Sequence, residues 1–358
     1  MAHVYGDDLD NFFDGTAATD YIYGAGGNDT LTSFKGADLL YGGLGDDSIV
    51  ASAGAVGYGG DGADNLSGAG SLYGGLGDDS LSGGAAVFGD AGNDLITGWT
   101  SGASGGSGDD TIIGSGGFTV GDDGNDLIYG GNNVYGGAGN DTLATDATYG
   151  SIGGGDGDDW ISSTGFHVAL DGGAGNDTVS GSDNADTVFG GTGNDALFGG
   201  FAGDLVRGWK DDDTVHGGGD KDKVKGDLGN DMLFGDAGKD NLSGDKGNDT
   251  LDGGLEQDKL RGGEGADVFV FAASFEMDVG RRADSIVDFQ PGQDVIDLRP
   301  FETLLHFVGA AAFSGVIGEV RFDAGARLVQ IDVTGDGLSD GDILLNVSVL
   351  AAADLWLV

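Results

Sequence analysis

The chain has 358 residues, of which 78 are glycine, 2 are proline and none is cysteine, and its 61 acidic against 15 basic residues give a net charge of −46. Such a charge argues against nucleic acid as a partner, because phosphate binding needs clustered Lys and Arg. The lack of cysteine leaves no disulfide framework, and no run of about 18 apolar residues exists to form a transmembrane segment. Glycine follows a nine-residue period, so neither a collagen nor a disordered reading is favoured. Without counter-ions, self-repulsion on this scale opposes compaction.

The first residues, Met1-Ala2-His3-Val4-Tyr5-Gly6-Asp7-Asp8, show neither a basic n-region nor an apolar h-region and do not read as a Sec signal. Residues 1–14 are expected to form an N-terminal cap. From about residue 15 a nonapeptide, G-G-x-G-x-Asp-x-(Leu/Ile/Val)-x, recurs as far as residue 270. Gly42-Gly43-Leu44-Gly45-Asp46-Asp47-Ser48-Ile49-Val50 is a clean copy, and Gly136-Gly137-Ala138-Gly139-Asn140-Asp141-Thr142-Leu143-Ala144 is another. Paired glycines permit a tight turn with inward main-chain carbonyls. The Asp at position six adds a hard carboxylate oxygen of the kind calcium prefers. The apolar residue at position eight points into a core from a very short strand. The fold class predicted is all-β, a parallel β-roll (a β-helix-like solenoid) with a small C-terminal β-rich capping domain, holding multiple Ca2+ ions.

Over residues 15–180 the full copies start at Gly42, Gly59, Gly74, Gly89, Gly105, Gly121, Gly136, Gly154 and Gly172, 15 to 18 residues apart. Shorter segments lie between them, such as Gly68-Ala69-Gly70-Ser71-Leu72-Tyr73, with no Asp at the ligand position. This predicts calcium turns mainly on one edge, carried by Asp47, Asp64, Asp79, Asp94, Asp110, Asp126, Asp141, Asp159 and Asp177. Asp29 joins them from a near-consensus copy, while Asp20 and Asp38 sit in poor copies. Over residues 181–270 the nine-residue period is unbroken. If each nonapeptide makes half a coil, Asps eighteen residues apart stack on one edge. That predicts two files, Asp195, Asp213, Asp231, Asp249 and Asp267 on one edge and Asp186, Asp204, Asp222, Asp240 and Asp258 on the other.

Basic residues divide the same way. Lys35 is the only one before Arg207. Lys221, Lys223, Lys225, Lys239 and Lys246 occupy variable, solvent-facing repeat positions, where charge compensation and polyanion binding are the two readings. Tyr41, Tyr58, Tyr73, Phe88 and Tyr135, with Val120 in the same place, precede full copies. Strand alternation points them outward while Leu72, Val87 and Val134 point in. Spaced one coil apart, about 4.8 Å, they form a ladder that serves either cross-strand packing or contact with glycan or another chain.

The nonapeptides stop at Val270, and residues 271–358 are expected to cover the open end of the roll, because exposed sheet edges invite aggregation. Residues 284–298 alternate around Pro291-Gly292 and read as two strands. The apolar stretch 301–317 is expected to hold a short helix, and residues 320–332 a hairpin.

The repeat resembles the calcium-binding nonapeptide of RTX proteins. Gly265-Ala266-Asp267-Val268-Phe269-Val270, then residues 284–298, then Phe307-Val308-Gly309 through Phe313-Ser314-Gly315 to Gly318-Glu319-Val320, resemble the C-terminal domain of serralysin-type metalloproteases. Asp332-Val333-Thr334-Gly335-Asp336-Gly337, with Asp340, is similar to an acidic loop of that domain. The ending Asp354-Leu355-Trp356-Leu357-Val358 is similar to the type I secretion signal of RTX exporters. The resemblance implies a secreted, extracellular roll that folds on calcium and engages a type I secretion apparatus. It does not extend to the protease. The four histidines, His3, His167, His216 and His306, are never four apart, so the helical H-E-x-x-H zinc site is missing, and no G-x-S-x-G elbow on a strand-to-helix turn appears. His216 is expected to be simply exposed. The reading is a non-enzymatic protein with a structural role in a cell-surface layer, a matrix or a self-assembly. A glycan- or host-surface-binding adhesin and a non-catalytic accessory to a secreted hydrolase are the alternatives.

Overall fold

A computed structural model of the chain describes residues 2–272, 283–301 and 303–357. The chain divides into two compact units, residues 1–165 and 166–358, and within the described residues both are parallel β-solenoids. Each coil contributes one strand to each of two facing sheets, and the coils stack in parallel register. In the first unit Ser71–Leu76 pairs with Val56–Asp61 on one side and with Ala86–Ala91 on the other. In the opposite sheet Ser80–Gly83 lies between Asn65–Gly68 and Leu95–Thr97. In the second unit the coils repeat every 18 residues, so that Lys223–Leu228 pairs with Leu205–Lys210 and with Asn241–Lys246.

The core is one apolar file per sheet. Leu40, Leu72 and Val87 face Leu31, Ile49, Leu66 and Leu81 in the first unit, and Val188, Val206 and Val224 face Leu197, Val215 and Leu233 in the second, all fully buried. Alternation along each strand turns the neighbouring residue outward. A core of about two apolar side chains per coil is thin, so the turns must share in holding the stack.

The N-terminal segment is built as a coil of the roll. Ala2–Tyr5 pairs in parallel with residues 20–23, and Phe12–Asp14 with Thr30–Thr32. Residues 1–14, expected to form an N-terminal cap, thus supply strands that satisfy their backbone groups on the next coil. At the other end Asp284–Ile286 and Val295–Asp297 are the two strands expected, and they form a further coil on Lys259–Glu264 and Val268–Val270. Glu319–Asp323 and Leu328–Asp332 form the expected antiparallel hairpin, and Gly341–Leu345 links it to Asp284–Ile286. Residues 301 and 303–317 contain a strand at His306–Phe307 and no helix. Phe301 and Leu305 are buried individually, without the repeating apolar face a helix needs. Residues 273–282 of the expected cap lie outside the described residues.

The C-terminal strand Leu355–Trp356 pairs in parallel with Ile296 and Asp297. Asp354 is buried and accepts hydrogen bonds from Gly292 N and Ala351 N, each at 2.8 Å. The Arg299 guanidinium lies over the Trp356 ring at 4.3 Å. These residues are therefore packed into the C-terminal strands as well as carrying the resemblance to an export signal.

Candidate metal centre

The copy at residues 42–50 shows how sequence makes the site. Gly43 and Gly45 take φ of 121° and 112°, a region that L side chains avoid. Gly42 is needed for space, since a Cβ there would collide with the Asp47 Oδ2 atom of its own copy and lie 2.6 Å from the Gly59 carbonyl oxygen of the next coil. The carboxylate thus folds back into a cradle of main-chain carbonyls that only glycine leaves open.

The files follow from one repeated hydrogen bond. Asp47 N donates to Asp64 Oδ1, Asp64 N to Asp79 Oδ1, and Asp79 N to Asp94 Oδ1, at 2.7–2.8 Å. The first-unit file runs from Asp29 through Asp110, Asp126 and Asp141 to Asp159. In the second unit Asp177, Asp195, Asp213, Asp231, Asp249 and Asp267 make one file. Asp186, Asp204, Asp222, Asp240 and Asp258 make the other. All twenty residues expected from the sequence are buried.

The second carboxylate oxygen is the informative atom. In Asp29, Asp47, Asp64, Asp79, Asp94, Asp110, Asp126 and Asp141, and in Asp195, Asp204, Asp213, Asp222, Asp231, Asp240, Asp249, Asp258 and Asp267, Oδ2 is buried without a hydrogen-bond partner. Buried acceptors are normally satisfied, and seventeen repeated exceptions define an unmet electrostatic demand. Burial raises these carboxyls above their ordinary 3.8, an N–H from the coil before (Asn11 for Asp29, the preceding Asp of the file for the others) offsets part of the rise, and neighbouring carboxylates push further upward. Asp47, Asp79, Asp110 and Asp141 reach about 7, and Asp64, Asp94 and Asp126 about 6. In the second unit Asp213 and Asp258 reach about 8, while Asp195, Asp204, Asp222, Asp249 and Asp267 reach about 7.

These residues fit a hard dication with oxygen ligands. Among the described residues no three His, Cys, Asp or Glu side chains cluster closely enough to hold a metal by themselves, so main-chain carbonyls of the glycine cradles must complete any shell. A calcium ion held there would supply the positive charge that the inward oxygens lack.

Asp186 departs from its neighbours, because its Oδ2 accepts hydrogen bonds from Ser182 N and Ser182 Oγ, each at 2.7 Å. Sequence reasoning also passed over several members. Asp38 is fully buried with an unmatched Oδ2, and its Oδ1 accepts from Asp20 N at 2.8 Å. It lies on the edge opposite the Asp29 file, so the first coils begin with two acidic edges. Asp284 and Asp294 extend the second-unit files through Asp258 N and Asp267 N. Neither follows the glycine pair of a full copy, and the loss of the nine-residue period hid them. The acidic loop at residues 332–340 is closed on itself. Asp332 accepts from Gly335 N and Gly337 N, and Asp340 from Val333 N and Thr334 N.

Among the described residues, the opposite edge of the first unit has no buried carboxylate beyond Asp38 and is closed by side-chain packing. Trp99 is buried there, and a Cβ on Gly114 or Gly116 would strike its indole. The aromatic ladder differs from expectation. It runs Tyr5, Tyr23, Tyr41, Tyr58, Tyr73, Phe88 with centroids 4.8–5.1 Å apart and rings nearly parallel. Ser104 occupies the next position, and Tyr135 stands apart between Val120 and Gly153. Stacking covers the ring faces, so the ladder offers solvent mainly ring edges.

Several basic residues serve an unforeseen backbone need. Asp227, Asp236 and Asp245 stand where the clean copy has its second glycine and take φ of 76°, 69° and 72°. Arg207, His216 and Lys225 pair with them at 2.7, 3.0 and 3.4 Å. His216 is also stacked between Phe198 and Phe234, which corrects its expected simple exposure.

The family described as peptidase M10 serralysin C terminal matches residues 94–355. The RTX calcium-binding nonapeptide repeat (4 copies) matches residues 5–33, 34–55 and 87–100. No curated protein matches. Among solved structures, the AlgE6R2 subunit of the Azotobacter vinelandii mannuronan C5-epimerase is 27% identical over 38% of this chain and 88% of that one, with a TM-score of 0.29. The AlgE6R3 subunit of the same epimerase is 31% identical over 41% and 78%, with a TM-score of 0.22. Family match and repeat geometry agree: the chain belongs to the peptidase M10 serralysin C-terminal family and is built from RTX calcium-binding repeats.

Proposed function

We propose that this is a secreted, non-enzymatic protein that folds on extracellular calcium and acts as a structural component of a cell-surface layer, matrix or self-assembly. The observation that carries the reading is the run of buried, unmatched Asp Oδ2 atoms along the roll edges. An array of this extent is an architectural element, since a catalytic role needs one or two ions and this one repeats along both units. The proposed ligands are the twenty Asps of the files, with Asp38 added and Asp186 the weakest because Ser182 already serves it. Low cytosolic calcium keeps the chain extended for a type I exporter, and high external calcium folds it, since each ion stabilises only the folded state. The family relationship supports a secreted setting.

The test is a calcium titration of purified protein followed by circular dichroism, with sedimentation velocity and electron microscopy at each step. The reading expects disordered chain without calcium, β-structure with it, and ordered assemblies at saturation. A calcium-loaded protein that stays monomeric at high concentration would remove the structural role while leaving calcium-driven folding intact.

A further inference from the structure

The basic residues of the second unit do not all serve the backbone. Arg207 and Lys225 answer left-handed aspartates, and Arg261 lies 3.4 Å from Asp288. Lys223 and Lys259 are exposed and have no ion-pair partner among the described residues, although acidic side chains abound. Both stand on the same sheet face, on either side of Asn241 in one register column. Lys225 and Arg261 flank Ser243 in the column two residues on. The cations in each column are therefore two coils apart, about 9.6 Å, and the columns about 6.7 Å apart. Four long cationic side chains rim a floor of two short polar ones. The result is a well of about 410 Å³.

We propose that this well binds a strand of acidic polysaccharide, its carboxylate or sulfate groups held by Lys223, Lys225, Lys259 and Arg261 and its hydroxyls by Asn241 and Ser243. The proposal rests on the extracellular reading above. Charge and hydroxyl alternate in such a strand as they do across the well. A nucleic acid strand would want aromatic stacking platforms, and the lining holds no aromatic side chain. A broad anionic surface such as a membrane would meet Asp227, Asp245 and Asp288 beside the well, whereas a single strand can avoid them. Clustering Lys223 and Lys259 beside Lys225 and Arg261 around one well, in a chain of charge −46, keeps a local positive potential that compensation alone does not require.

The experiment is calorimetric titration of the full, calcium-loaded chain with polygalacturonate and with heparin, calcium being kept in excess, and with dextran, oligo-dT and phosphatidylserine vesicles for comparison. At least one acidic polysaccharide is expected to bind, with affinity falling as salt rises, while dextran does not. Preference for polygalacturonate or heparin identifies carboxylate or sulfate as the recognised group. The double variant K223E/K259E should lose about tenfold or more in affinity, and K35E/R327E, with the same change in net charge, should lose little. Calcium-dependent circular dichroism of all variants should match wild type. Failure of both polysaccharides to bind well-folded protein overturns the proposal and leaves the calcium reading untouched. Equal losses in the two double variants, or tighter binding of oligo-dT or vesicles at the same lysines, also overturn it.

Discussion

The two units solve one closure problem in different ways. In the second unit, as far as Asp267, each coil has 18 residues and both turns carry a buried Asp, so each edge is a carboxylate file. In the first unit, past Asp38, one edge is acidic and the other is closed by small residues and Trp99. Its coils shrink to as few as 15 residues, yet the Asp N to Asp Oδ1 bond keeps its length through spacings of 15, 16, 17 and 18. Every change in coil length is absorbed on the packed edge. An acidic turn has a fixed length because a glycine cradle must meet an Asp, while a packed turn tolerates any length that fills its space.

The largest test of this contrast is calcium removal. The Asp carboxyls are raised in the fold, so the metal-free fold is favoured below the unfolded value near 3.9 and loses that contribution as pH rises through about 6 to 8. Calcium-stripped protein should therefore lose its β-signal at pH 8 and recover part of it near pH 4. Retention of full β-content at pH 8 by circular dichroism would show that packing alone holds the roll. Trp99→Ala comes next. It should cost about 3–5 kcal/mol in calcium-loaded protein by denaturant unfolding, with calcium uptake unchanged, whereas loss of ions would tie the packed edge to the metal files.

Asp110→Ala and Asp249→Ala sharpen the comparison further. Each should remove about 3 kcal/mol at calcium a hundredfold above its dissociation constant. Hydrogen exchange should show wider loss of protection around Asp110, whose coil has no second acidic file, and equal spreading at both sites would contradict the one-edge assignment. Tyr58→Ser has the smallest expected effect, about 1 kcal/mol for each of its stacked neighbours, with assembly unaltered because the ring faces are already covered within the ladder. Loss of assembly in a stably folded Tyr58→Ser protein would return the ladder to the role of a contact surface.

Much of this protein follows from sequence alone. The nine-residue period, the inward residues from Leu72 to Val224 and the files from Asp47 to Asp267 were legible because each rests on spacing within one repeat. Local glycine and Asp chemistry then recurs whatever the neighbours are. Asp38, Asp284 and Asp294 escaped because their copies are degenerate, and only stacking beneath an intact coil shows what they are. Other features depend on contacts between coils that no single repeat encodes. Trp99 closes a turn against glycines fifteen and seventeen residues away. The ladder stops at Ser104 because that residue, in register beneath Phe88, has no ring. Arg207 meets Asp227 across two strands twenty residues apart in sequence, and Trp356 joins a strand beside Asp297. Periodicity determines which side chains point inward, but register across coils decides which of them meet.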